Sequence, residues 1–264
     1  LDPSGHVECS ALGTDADIAG CNAYKDQINN PYGINFSGSW TFDQRAITLQ
    51  AAGLIERRLR SVDVSAAYAK ATMLGESISD FSSLHQFSGP GQAWQAVFGS
   101  VTVDRIDPQD NNPAWGAETF GDRNTIEFYE AGFTVRELGF HIQHPLHEFG
   151  HLFAYHAATQ QPYRDLNNAQ ITAAGFNIAG GGFGGGYVRT ALGYRSGTVG
   201  NLPWQQSGRA TPNEDFADMF LNWTLGSFVN STLRPRGTAA GRARYRWMNA
   251  NMPGWIALAV DGSQ

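Results

Sequence analysis

The stretch His144-Pro-Leu-His-Glu-Phe-Gly-His-Leu-Phe-Ala-Tyr-His156 constrains this chain more than any other. At its centre stands His147-Glu148-Phe149-Gly150-His151, an H-E-x-x-H spacing. On a helix, residues four apart differ by about 40° in azimuth and about 6 Å in height. Both imidazoles can therefore reach one ion from the same face. Glu148 falls on the flank of that face, where a carboxylate can act on water beside a metal without being a ligand. Pro145 suits a first helical position, because its missing N–H costs no bond there. Leu146, Phe149, Phe153 and Ala154 supply a packed back to the helix. His144 is then read as the cap residue, not a ligand. His156, about 180° around from His147, should point away from the ion. Gly150 costs about 1 kcal/mol relative to alanine in mid-helix, which suggests that another segment approaches closely there. With 7 histidines in 264 residues, this spacing arises by chance roughly 0.006 times per chain. That rarity favours a metal site over two core histidines placed by accident.

A chain of 264 residues, 42% hydrophobic and 12% aromatic, can bury a substantial core as one domain or two lobes sharing a cleft. Only 16% of residues are charged and 31 are glycine, the mix of a loop-rich globular protein. The net charge of −6 calls for neither nucleic acid nor an anionic membrane surface. No apolar run approaches the ~18 residues of a membrane span; Trp255–Val260 is far too short. The chain opens at Leu1 without a signal-peptide pattern and reads as a processed or trimmed product. Its two cysteines, Cys9 and Cys21, lie in a polar N-terminal segment. Bridged, they would form a short disulfide loop and imply an oxidising, extracytoplasmic setting; unbridged, they are two thiols. Asn35, Asn222 and Asn230 head N-x-S/T sequons, about as many as chance supplies.

Residues 1–32 read as an extended N-terminal segment. Ile34–Trp40 alternates apolar and polar residues, as a half-buried strand does. Thr41-Phe-Asp-Gln opens a helix in which Ile47, Ala51, Leu54 and Ile55 recur at helical spacing to about Leu59. A second helix is expected over 63–78, and Gly89-Pro-Gly91 is a break. Val101–Ile106 and Asn124–Tyr129 read as strands. Between them, the oxygen-rich loop Asp107–Pro113 matches no EF-hand, so that a solvated turn is favoured over a calcium site. Residues 158–210 show weak periodicity and contain Gly180-Gly-Gly-Phe-Gly-Gly-Gly186. No Gly-Lys-Ser/Thr follows, so this is no phosphate loop; it is either a lid over a cleft or a surface excursion.

The next informative stretch is Thr211-Pro-Asn-Glu-Asp-Phe-Ala-Asp-Met-Phe-Leu-Asn-Trp223. Thr211 is a good N-cap and Pro212 a good first position. Phe216, Phe220 and Trp223 form an apolar stripe, while Glu214 and Asp218 share another face. A zinc site with two histidines wants a third protein ligand and an open position. Glu214 can be that ligand. Asp218, one turn on, can accept the free N–H of a ligating histidine. Thr-x-x-Glu is also a capping box, the competing use of Glu214.

His147-Glu148-x-x-His151 followed by Asn213-Glu214-x-x-x-Asp218 resembles the thermolysin-like gluzincin metallopeptidases, whose pattern is H-E-x-x-H and then N-E-x-x-x-D on a later helix. The resemblance covers two short segments. It implies that His147, His151 and Glu214 hold zinc, that Glu148 is the general base, and that Asp218 supports a ligating histidine. The metzincin pattern fails, because positions 154 and 157 are alanines. An aspzincin-type site would use Asp215 or Asp218 as third ligand.

These readings together predict an α+β, zincin-like chain. A mixed sheet with helices would form an upper lobe over about 33–157, and a mainly helical lower lobe would span about 158–264. The active-site cleft would lie between them. The expected reaction is peptide-bond hydrolysis, with a peptide or protein as partner. Zinc would lower the pKa of water toward ~7 and polarise the carbonyl, and Glu148 would carry the proton to the leaving amine. Tyr163, Tyr187 and Tyr194 are candidates for stabilising the oxyanion. The alternative is a zincin-like binding or structural protein that no longer turns over substrate.

Overall fold

A computed structural model describes residues 30–62, 87, 89–106, 116–129, 142–157, 212–226 and 239–262. Among the described residues, strand β1 is Asn35–Gly38 and helix α1 is Phe42–Arg60. Helix α2 is Gln92–Phe98, and strands β2, β3 and β4 are Thr102–Arg105, Ala117–Phe120 and Thr125–Phe128. Helices α3, α4 and α5 are Gln143–His156, Pro212–Leu225 and Ala239–Gly262. The helix expected over 63–78, the cysteines, the Asp107–Pro113 loop, the glycine stretch 180–186 and Tyr163, Tyr187 and Tyr194 lie outside the described residues.

The strands form one mixed sheet in the order β1-β2-β4-β3. β1 runs parallel to β2, and β2 parallel to β4. β1 and β3 are the two edge strands of this described sheet; β3 is antiparallel to β4, and a short 3-10 turn over Gly121–Arg123 joins the two. Asn124, at positive φ, closes that turn; asparagine tolerates the left-handed region because its short polar side chain bonds locally. Here its amide donates to the Phe98 and Ser100 carbonyls at 2.6 and 2.8 Å.

α1 starts as its sequence predicts. Thr41 accepts from the Gln44 amide while the Gln44 side chain accepts from the Thr41 amide, so two orphan donors are satisfied reciprocally. α2 was not foreseen. It is short, begins after left-handed Gly91, and has no side-chain cap of its own. Its capping group comes from α1: Glu56, buried, accepts from the Trp94 amide at 2.6 Å. Burial pushes the Glu56 carboxyl up from its ordinary range, against the pull of the Trp94, Ala93 and Gly91 backbone donors.

α3 runs through the middle of the core and touches α1, α2, α4, α5 and β3. Phe149 meets Trp94 of α2 edge-on at 4.7 Å, and Phe153 stacks on Phe220 of α4 at 4.9 Å. Each such fully buried side chain contributes about 1.5–3 kcal/mol. α4 turns Phe216 onto Trp255 of α5, so the C-terminal helices join the same hydrophobic cluster as the sheet. The start of α3 differs from expectation: the cap position is Ile142, and His144 and Pro145 are the second and third helical residues. Proline is tolerated there because none of the first four N–H groups has an intrahelical partner.

Candidate metal centre

The approach of α4 to α3 is set by Gly150. A methyl group there would stand 2.9 Å from Ala217 Cα and 3.0 Å from its carbonyl oxygen. Only a residue without Cβ lets the two backbones lie this close. The contact places Glu214 and Asp218, on the same helix as Ala217, against the histidine face of α3.

His147 and His151 stand one turn apart on α3 with their rings edge to face at 4.7 Å. Their Nε2 atoms are 3.1 Å apart. Glu214 Oε2 is 3.1 Å from His147 Nε2, and Glu214 Oε1 is 3.7 Å from His151 Nε2. These three side chains offer donor atoms that all lie within 4.8 Å of one another. Two donors held tetrahedrally at about 2.0–2.1 Å from one zinc are about 3.3–3.4 Å apart. The 3.1 Å between the two Nε2 atoms and the 3.1 and 3.7 Å to the two Glu214 oxygens lie near that edge length, so the three side chains could share one ion. The His147 side chain is nearly sealed, whereas Glu214 is 30% exposed.

Asp218 is fully buried, and its Oδ1 lies 2.9 Å from His147 Nδ1. The Nδ1–H then donates to Asp218, which leaves the Nε2 lone pair for an ion. Asp218 is thus on the far side of the ring from the donor cluster, away from the place of a third ligand. Asn222, one turn on, donates to the Asp218 carbonyl at 2.7 Å. Asn222 is itself fully buried, so its sequon cannot carry a glycan. His156 points away from the cluster, its Nε2 3.0 Å from Asn124 Oδ1 and its ring against Phe98.

Glu148, 9% exposed, flanks the cluster without belonging to the converging donors. Its Oε2 accepts a hydrogen bond from Thr119 Oγ1 at 2.7 Å. Thr119 was not singled out from the sequence. Ala117-Glu-Thr-Phe120 is too short and too mixed to announce a strand, and nothing in it points to a helix beginning more than twenty residues later.

Electrostatics tie the cluster together. Burial pulls the His147 imidazole down, but the Asp218 carboxylate and its hydrogen bond, with Glu214 and Glu148 beside it, carry it well above the ordinary histidine value. Burial alone would raise the Glu214 carboxyl; hydrogen bonds from His147 and His151 and their charge hold it far below the usual carboxylate range.

No protein-family model matches the chain, and neither a curated protein nor a solved structure does. The functional reading therefore rests on the residues themselves.

Proposed function

We propose that this chain is a zinc-dependent metallopeptidase of the gluzincin type. The observation that carries the reading is the convergence of His147, His151 and Glu214 from two helices, with Glu148 beside them and outside the donor set. A site that only stabilises a fold closes with four protein ligands; three converge here among the described residues, and the adjacent carboxylate has no structural need of an ion. Nitrogen and carboxylate donors at these separations suit zinc over calcium, which prefers an all-oxygen cage.

His147, His151 and Glu214 would hold the ion, and Asp218 would keep His147 in the tautomer that leaves Nε2 free. When bound, zinc supplies Lewis-acid polarisation of a carbonyl and makes water more acidic. Glu148 takes a proton from the attacking water and returns it to the leaving amine. β3 bears on the same place. It is paired to β4 on one side only among the described strands. Its other edge carries no strand among the described residues, and an extended peptide could add there as a further strand.

The direct test is elemental analysis of protein purified without added metal, followed by cleavage of an unstructured protein with and without chelator. About one zinc per chain is expected, with cleavage lost on chelation and restored by zinc. Glu148→Gln should keep the zinc and lose about 10²–10⁴-fold of the rate. No zinc after reconstitution, or full cleavage by the Gln variant, would remove the reading.

A further inference from the structure

Thr119 stands in a cross-strand row whose other members, Phe36, Val103 and Ile126, are apolar. It is the cross-strand partner of Ile126, which is paired in turn with Val103. Cross-strand partners project from the same face of a sheet, and both Ile126 and Val103 are fully buried. Valine would fill the volume of Thr119 and suit the strand better. The hydroxyl is engaged instead: Oγ1 donates to Glu148 Oε2 at 2.7 Å and lies 3.4 Å from the Glu148 carbonyl oxygen. A threonine hydroxyl has one proton. At 2.7 Å from a carboxylate oxygen it makes a charge-assisted bond. Among the described residues, Thr119 supplies the hydrogen bond that this carboxylate accepts.

We infer that Thr119 is a positioning residue for hydrolysis: it anchors Glu148 Oε2 to edge strand β3 and leaves Oε1 to receive the proton. The inference rests on the reading of Glu148 as the base. Glutamate has three side-chain torsions, and an unanchored carboxylate spreads over rotamers of which few address the reacting water. Misplacing a catalytic group by about 1 Å can cost on the order of 100-fold. Two neighbours on α3 are held differently. His147 is oriented by Asp218 through a helix–helix contact, whereas Glu148 is oriented through a strand. The sheet and α4 thus each hold one member of the motif.

The test uses the full chain loaded with zinc. Thr119→Val removes the hydroxyl at constant shape, and Thr119→Ser keeps it. Thr119→Val should lower kcat about 10–100-fold, with KM and zinc affinity within about twofold of the parent. Thr119→Ser should stay within about threefold, and Thr119→Val should add no loss in a Glu148→Gln background. Crystals of the metal-free variants give a second readout. The Glu148 carboxylate should keep its place in Thr119→Ser and swing away in Thr119→Val. A Thr119→Val protein with parental kcat, or one losing zinc affinity in proportion to rate, overturns the inference. If the parent cleaves no peptide, the peptidase reading fails separately, and an unmoved Glu148 in the metal-free Thr119→Val crystal overturns the anchoring role by itself.

Discussion

Asp218 Oδ1 lies 2.9 Å from His147 Nδ1, and both side chains are buried. This pair joins two helices that are far apart in the chain and orients a ring whose other nitrogen faces Glu214. Glu214→Gln keeps the side-chain shape and removes the anionic donor. Asp218→Asn leaves the donors in place and disturbs the orientation of one ring. Asp218→Asn should weaken zinc binding roughly 10–100-fold, and Glu214→Gln should weaken it further. Thr211 lies outside the described residues; as the N-cap expected from the sequence, its replacement by alanine should cost about 1 kcal/mol of stability and leave affinity nearly intact. Competition titration against a chelator of known affinity gives the order. Parental affinity in Glu214→Gln would remove Glu214 as the third ligand, and the gluzincin assignment with it.

Gly150→Ala sets two local rules against each other. Helix propensity favours alanine by about 1 kcal/mol. The added methyl, however, would meet the Ala217 backbone at 2.9 and 3.0 Å and Phe220 Cβ at 3.2 Å. Helix backbones cannot turn aside as a flexible side chain can, so α3 and α4 must separate, at about 1–3 kcal/mol. The expected outcome is a lower unfolding midpoint together with weaker zinc binding, because Glu214 moves with α4. A more stable variant with parental affinity would show that the close approach is not needed.

The pH dependence follows from the direction of two shifts. His147 is raised above 6.5, so its stabilisation of the metal-free fold is complete below the unfolded value and is lost as pH rises through the raised one. Glu214 is lowered from 4.5, so its contribution is present above that value and is lost only in strong acid. The metal-free pair therefore contributes from above about pH 4.5 up to the raised His147 value. An ion needs the neutral imidazole. Zinc binding near neutral pH should then release about one proton, and affinity should fall about tenfold per pH unit below the His147 value. Calorimetry in buffers of different ionisation enthalpy measures the proton count; a count of zero at pH 7 would contradict the shift.

Thiol titration of the denatured, unreduced protein tests the expected Cys9–Cys21 bridge. None should react, and reduction should cost about 2–3 kcal/mol by the chain-entropy argument for a loop of this length. Two reactive thiols would take away the basis for an extracytoplasmic setting.

The features legible in the chain before folding are local and periodic. The four-residue spacing of His147 and His151, the aromatic stripe of α4 and the Thr41–Gln44 capping box all lie within one helical turn or repeat turn by turn. Helical geometry then fixes the side-chain directions. The same logic placed Glu214 and Asp218 on one face of α4. Short or interrupted elements gave no such signal. α2 has seven residues and is capped by Glu56, 38 positions before Trp94. α5 carries Pro253 inside the helix, which locally argues for a break; its buried Met252, Trp255 and Ile256 hold it helical through packing. Packing between distant segments brings Asp218 to His147, turns Glu214 toward the histidines, makes Gly150 the crossing point of α3 and α4, and sets Thr119 against Glu148. Each of these contacts joins residues at least 29 positions apart. The shared hydrophobic core decides their approach by burying faces of several elements at once, and no local propensity encodes that distance.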